Sequence, residues 1–138
     1  MFKRSSGVLA HVTSLPSPHG VGTMGKTARD FVDFLAAAHQ TYWQVLPLGH
    51  TGFGDSPYQC FSAAAGNPYL IDLDLLIEQE LLTRDEAAAD FGDNPDAVDY
   101  GRLYKNRFDV LRHAARRLGD APEFAAFCRA QDAWLDEY

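Results

Sequence analysis

Between Tyr42 and Ile71 an apolar run of strand length, Tyr42-Trp43-Gln44-Val45-Leu46, stops at Pro47 and opens into a long loop. The loop passes through Gly49, Gly52, Phe53, Gly54, Asp55, Ser56, Pro57, Tyr58, Gln59, Cys60 and Phe61 to Gly66-Asn67-Pro68-Tyr69. Loops longer than ~12–15 residues in a compact domain are usually functional or disordered. This one is too rich in Phe and Tyr for a disordered linker. Aromatic rings beside Asp, Ser, Gln and Asn are what a sugar site uses. The rings stack on the apolar C–H face of a pyranose, and the polar groups bind its hydroxyls.

The elements around the loop decide where it points. Gly7 to Val12 is a short apolar run that reads as a buried strand. Thr13 to Gly25 is punctuated by Pro16, Pro18, Gly20 and Gly22 and reads as a loop. From Lys26 the period changes, with Phe31, Phe34, Leu35 and Ala38 on one helical face. Tyr42 to Leu46 is the second strand. Strand, loop, helix and strand at this spacing make a βαβ unit with parallel strands. Ligand sites in such units collect at the carboxyl ends of the strands, so Thr13-Ser14 and Pro47 to Gln59 are expected on one face.

The second half reads as helical. Leu70 to Leu82 starts extended and becomes a helical turn or two. Thr83-Arg84-Asp85-Glu86 fits a capping box, and Asp93 to Asp96 is a loop. Tyr100, Leu103, Tyr104, Phe108, Leu111, Ala115 and Leu118 form an apolar stripe ended by Gly119. Pro122 opens another helix, with the stripe Phe124, Phe127, Cys128, Gln131, Leu135 and Tyr138. That pattern meets no stop signal, so the chain reads as truncated.

The 138 residues suffice for one domain with a core, and 46% hydrophobic with 22% charged residues is a globular composition. A net charge of −7 without a basic stripe argues against nucleic acid. The charge is uneven. Residues 1–71 carry 4 basic and 3 acidic groups, and residues 72–138 carry 8 and 16. Two cysteines without a CxxC pattern give neither a disulfide framework nor a zinc signature, and His11 and His19 lack ligand spacing. No metal and no cofactor is expected. The first residues are too short and polar for a signal peptide, and no apolar run approaches ~18 residues. A cytoplasmic location and no membrane span are therefore expected.

Arg4 to Gly22, Tyr42 to Gly49, Gly54-Asp55-Ser56-Pro57-Tyr58-Gln59, Gly66 to Ile71, Val98-Asp99-Tyr100-Gly101 and Trp134-Leu135 together resemble the N-terminus of the amylomaltases, 4-alpha-glucanotransferases of the alpha-amylase clan. The resemblance covers nearly the whole chain. It implies an α/β fold: the N-terminal part of a (β/α)8 TIM barrel with a helical insertion, the barrel being incomplete within this chain. Residues 1–76 would hold the first two β/α segments and the sugar-binding loop. Residues 77–138 would hold a truncated helical insertion subdomain.

The resemblance also implies transfer of alpha-1,4-glucan segments between maltooligosaccharides with retention of configuration. The family's Asp nucleophile, Glu acid/base and second Asp lie on later barrel strands, beyond residue 138. No catalytic residue is therefore assigned here, and the chain alone is expected to be inactive. Tyr58 is similar to the tyrosine lining the donor subsite and would stack on the sugar. Its competing role is a core tyrosine with a bonded hydroxyl. Ser56, beside the same subsite, would donate to a sugar hydroxyl or else brace its turn before Pro57. Asp55 is a further substrate-site candidate, although ordering of the Gly54–Pro57 turn is the stronger role for it. Gln59 and Asn67 are expected to brace the loop. Phe53 stands where a Tyr is common, near a second, remote glucan groove, and can stack but not hydrogen-bond. Cys60 replaces a common Ser, and Ala64 a common Phe. His39 and His50 stand where Gly and Pro are usual, and both read as surface histidines. The alternative function is a non-catalytic alpha-glucan-binding protein on a truncated scaffold.

Overall fold

The computed structural model describes residues 3–52, 54–94, 96–119 and 121–136. Phe53 and Tyr138, both named above, lie outside them. Strands β1 (Gly7–Leu9) and β2 (Tyr42–Gln44) pair in parallel, with Gly7 opposite Tyr42 and Leu9 opposite Gln44. Helix α1 (Lys26–Ala37) makes the crossover that parallel pairing requires. Gly7 allows the close approach, because a Cβ there would lie 2.5 Å from the Tyr42 carbonyl oxygen. The expected α/β class is therefore present as one parallel pair with its connecting helix.

Both strands are shorter than their apolar runs. β1 ends at Leu9 because the chain tightens into a 3-10 turn over Val12–Ser14. The Ser14 N–H donates to His11 O at 3.0 Å, and Val12 is fully buried. The helix packs on β2 through Phe31, whose ring meets Trp43 edge-on at 5.1 Å, while Trp43 Nε1 donates to Ala10 O at 2.7 Å. Of the expected helical face, Leu35 is buried, but Phe34 is 63% exposed and only stacks on Phe31. Two strands are too narrow a sheet to cover that face.

The remaining helices are α2 (Leu73–Glu78), α3 (Arg84–Ala87), α4 (Tyr100–Leu118), α5 (Pro122–Ala130) and α6 (Asp132–Leu135). The capping box is complete: Thr83 Oγ1 accepts from Glu86 N, and Glu86 Oε2 accepts from Thr83 N at 2.8 Å. Arg117 of α4 grips the same carboxylate with both terminal nitrogens. Led by that contact, these donors hold the Glu86 pKa down at about 2. The continuous helix expected after Pro122 breaks at Gln131, and nothing in α5 is buried. Among the described residues this stripe is covered by no other surface, and it lacks the packing that keeps a helix whole.

One core cluster joins the parts. Val21, Tyr69 and Leu73 pack with Leu82, Ala87 and Phe91 and with Leu103, Val110 and Ala114 of α4. The buried face of α4 is Leu103, Arg107, Val110 and Ala114, displaced around the helix from the expected stripe. Tyr104 of that stripe is 75% exposed, and Phe108, Leu111, Ala115 and Leu118 line an apolar cavity of about 370 Å³ beside Leu76 and Leu81.

α1 and α2 both end in Schellman turns without glycine. After α1, His39 N donates to Ala36 O at 3.0 Å and Gln40 N to Leu35 O at 2.9 Å, with His39 at φ 56°. After α2, Glu80 N donates to Ile77 O and Leu81 N to Leu76 O, with Glu80 at φ 59°. This position needs the left-handed backbone that glycine adopts without steric cost. His39→Gly and Glu80→Gly are each expected to stabilise the chain by about 0.5–1 kcal/mol, the relieved strain less the flexibility added to the unfolded state. Urea unfolding checks this, and an unchanged or lowered midpoint would contradict it.

Candidate functional site

The chain leaves both strands toward the same side. After β1 it passes through His11, Thr13 and Ser14, and after β2 through Leu46, Pro47 and Leu48. These residues line one cavity of about 180 Å³, with Thr51, Asp55, Pro57, Asn67, Leu70 and Tyr100. The two loops expected to share a face at the strand ends do so.

The long loop folds back on itself as a ribbon. Gly49 bridges Gly66, and Thr51 bridges Cys60, both antiparallel. Asn67 anchors the return limb twice: its N–H donates to Leu48 O at 2.8 Å, and its Oδ1 accepts from Tyr69 N at 2.9 Å. It braces the loop, as the sequence suggests. Gly49 must be small because a Cβ would meet Ser62 O at 2.9 Å and Cys60 Sγ at 3.0 Å. The Cys60 thiol donates to Pro57 O at 2.8 Å.

At the tip, Gly54 (φ 91°) and Asp55 (φ 53°) make the reversal, and the Asp55 N–H donates to Gly52 O at 3.2 Å. Asp tolerates the left-handed region better than most residues do. Ser56 is half-buried, and its carbonyl accepts from Gln59 N at 3.0 Å. Tyr58 is 73% exposed. Its hydroxyl has no partner among the described residues. Tyr58 thus stands clear of the core, Asp55 borders the strand-end cavity, and Phe53 lies outside the described residues.

A second, aromatic groove of about 750 Å³ adjoins the first. His50, Asp55, Tyr69, Tyr100, Tyr104 and Phe108 line it. Here His50 is half-buried and edge-on to Phe61 and Phe108, rather than a plain surface residue. Burial raises the Tyr69 pKa, the Asp55 carboxylate raises it further, and Arg107 opposes both. Burial lowers the pKa of His11, whose Nδ1 is sealed from solvent with no hydrogen-bond partner among the described residues.

Tyr100 and Arg107 escape a pattern-based search. Tyr100 reads as core because it starts an apolar helical stripe, yet it borders both cavities. Arg107 is fully buried, and its guanidinium donates to the carbonyls of Ile71 (2.5 Å), Tyr69 (3.4 Å) and His19 (3.4 Å). A cation four residues after Leu103 and three before Val110 is the one sequence signal for it.

The family model described as 4-alpha-glucanotransferase matches residues 10–138. A 4-alpha-glucanotransferase of Streptococcus pneumoniae serotype 4 is 49% identical over 140 residues, spanning 99% of this chain and 28% of its own length. That of Thermus thermophilus is 49% identical over 141 residues, spanning 98% of this chain and 27% of its own. The solved structure of the amylomaltase from Streptococcus agalactiae in complex with acarbose superposes with a TM-score of 0.89 at 44% identity. The match covers 96% of this chain and 28% of that one. The chain thus spans about 28% of the length of these relatives.

Asp55→Asn is expected to lower the Tyr69 pKa while leaving it above the ordinary tyrosine value, since burial remains. A pH titration of the tyrosine ring NMR resonances measures it. A Tyr69 transition unmoved by the substitution would show that the carboxylate does not face the ring.

Proposed function

The chain belongs to the 4-alpha-glucanotransferase family, and from that premise we propose that it forms the N-terminal, sugar-holding portion of an enzyme that transfers alpha-1,4-glucan segments between maltooligosaccharides. The observation that carries this is the Tyr58 ring, 73% exposed on a braced ribbon beside the carboxyl ends of two parallel strands. A ring kept out of the core in that place offers an apolar face to a pyranose. Ser56, next in the same turn, donates to a sugar hydroxyl. Asp55 orders the turn and closes the cavity wall.

Retaining transfer needs two carboxyl groups ~5–5.5 Å apart across the scissile bond. Among the described residues, Asp55 is the only carboxylate lining the strand-end cavity. The reacting pair accordingly comes from outside this chain, on later strands of an eight-stranded barrel to which β1 and β2 contribute. Residues 1–76 are its first two β/α segments and residues 77–138 a helical insertion. The second groove, beside the strand-end cavity and lined by Tyr69, Tyr100, Tyr104 and Phe108, is a secondary glucan site. Catalysis in the cytoplasm fits the two free thiols, Cys60 and Cys128.

An oxocarbenium-like sugar carries developing positive charge, which a π face stabilises. The Tyr58 contact therefore strengthens in the transition state. The test is a chimera in which this chain replaces the matching 28% of the Streptococcus agalactiae amylomaltase. It is expected to disproportionate maltotriose. Tyr58→Ala in it should lose about tenfold to a hundredfold in kcat/KM, with Tyr58→Phe losing less. Equal turnover by Ala and Tyr58 would make the ring structural. A folded chimera that binds maltooligosaccharides without transfer would favour the non-catalytic binding protein.

A further inference from the structure

His11 lines the strand-end cavity with a ring that the fold itself does not use. Its backbone is fixed on both sides. Ala10 N donates to Gln44 O at 3.1 Å, Ala10 O accepts from Trp43 Nε1 at 2.7 Å, and His11 O accepts from Ser14 N at 3.0 Å. The ring caps nothing, because His11 precedes the 3-10 turn of Val12–Ser14 without a side-chain hydrogen bond to it.

The two ring nitrogens differ. Nδ1 is sealed from solvent and has no hydrogen-bond partner among the described residues. Nε2 also lacks a partner among them, but it is not sealed. Burial disfavours the charged form, so at neutral pH the ring is neutral and carries one proton. A buried N–H is orphaned more rarely than a buried acceptor. The proton therefore sits on Nε2, the reachable nitrogen of a ring that lines the cavity.

A sealed nitrogen without a partner costs stability, and such a cost beside a reaction site calls for a function there. The cavity defines the acceptor. Among the described residues its other titratable groups are Asp55 and Tyr100, and no Lys or Arg lines it. Retaining transfer needs an ionised carboxylate as nucleophile. A carboxylate entering from a later barrel strand meets the like charge of Asp55 and no cation. The like charge raises its pKa, and a donated N–H lowers it. A neutral imidazole supplies that donor.

We infer that His11 is a positioning residue for the reaction: its Nε2–H donates to the reacting carboxylate that enters the strand-end cavity, orienting it and keeping it ionised. The inference rests on the transferase reading above.

The same chimera tests it, carrying His11→Leu or His11→Gln. Leucine replaces the ring by carbon, and the glutamine amide returns a donor near the place of Nε2. The Leu variant is expected to melt no lower than the parent, because it loses an orphaned nitrogen. On maltotriose it should lose about tenfold to a hundredfold in kcat/KM, the worth of one hydrogen bond to a charged group. The acid limb of its pH profile should move up by about one to two pH units, and Gln should bring the limb back toward that of the parent. A Leu variant that fails to fold or melts below the parent makes His11 structural and overturns the inference. So do unchanged rates, and so does a loss of activity with the acid limb unmoved, which would put the acceptor on the sugar. A folded parent chimera inactive on maltotriose overturns the transferase reading and the inference with it.

Discussion

A buried arginine holds this molecule together. Arg107 sits at the centre of the core face of α4, without exposed surface, and no carboxylate forms an ion pair with it among the described residues. Burial pushes its pKa down to about 10, partly offset by Asp72 and Tyr69, so it remains charged at neutral pH. Burying an ion costs several kcal/mol even after relaxation. Three backbone carbonyls and the face of Phe91, 5.3 Å from the guanidinium carbon, offset that cost. Loop carbonyls brought into a core must find donors, and the fork of a guanidinium supplies several from one side chain.

The carbonyls chosen connect this anchor to the candidate site. His19 belongs to the loop after β1, and Tyr69 and Ile71 to the limb that closes the ribbon. Both loops reach the ends of the parallel strands. Arg107 therefore fixes, from behind, the two segments whose front surfaces carry Thr13, Ser14 and Asn67. Asp72, the next residue, repeats the device at the other end. Its carboxylate caps α2 through Leu75 N at 2.9 Å and accepts from the Thr23 hydroxyl just before α1. The ribbon tip, held by its own turns and by Asn67, is then free to present Tyr58 outward.

What the sequence disclosed was local. Prolines and glycines marked the loops, period 3.6 marked α1 and α4, and Thr83 to Glu86 marked a cap that forms with the expected bonds. Convergence of the two strand-end loops followed from parallel connectivity alone. What escaped depends on partners distant in sequence. β1 stops early because a 3-10 turn buries Val12. Arg107 breaks the apolar pattern of α4 because three distant carbonyls need it. His39 and Glu80 adopt backbone conformations that only the closing bonds of their turns reveal. Among the described residues no surface buries the apolar stripe of α5, so its pattern predicted more regularity than the packing supports.

The account depends on Arg107 acting as the tie for both loops, which amide hydrogen exchange of the chain measures directly after Arg107→Lys. Lysine keeps the charge but is a single point donor that cannot span the carbonyls. Exchange is expected to quicken at Gly22 and Asn67 while the amides in the middle of α4 stay protected. Unchanged protection at Gly22 and Asn67, or a uniform loss that includes α4, would contradict it.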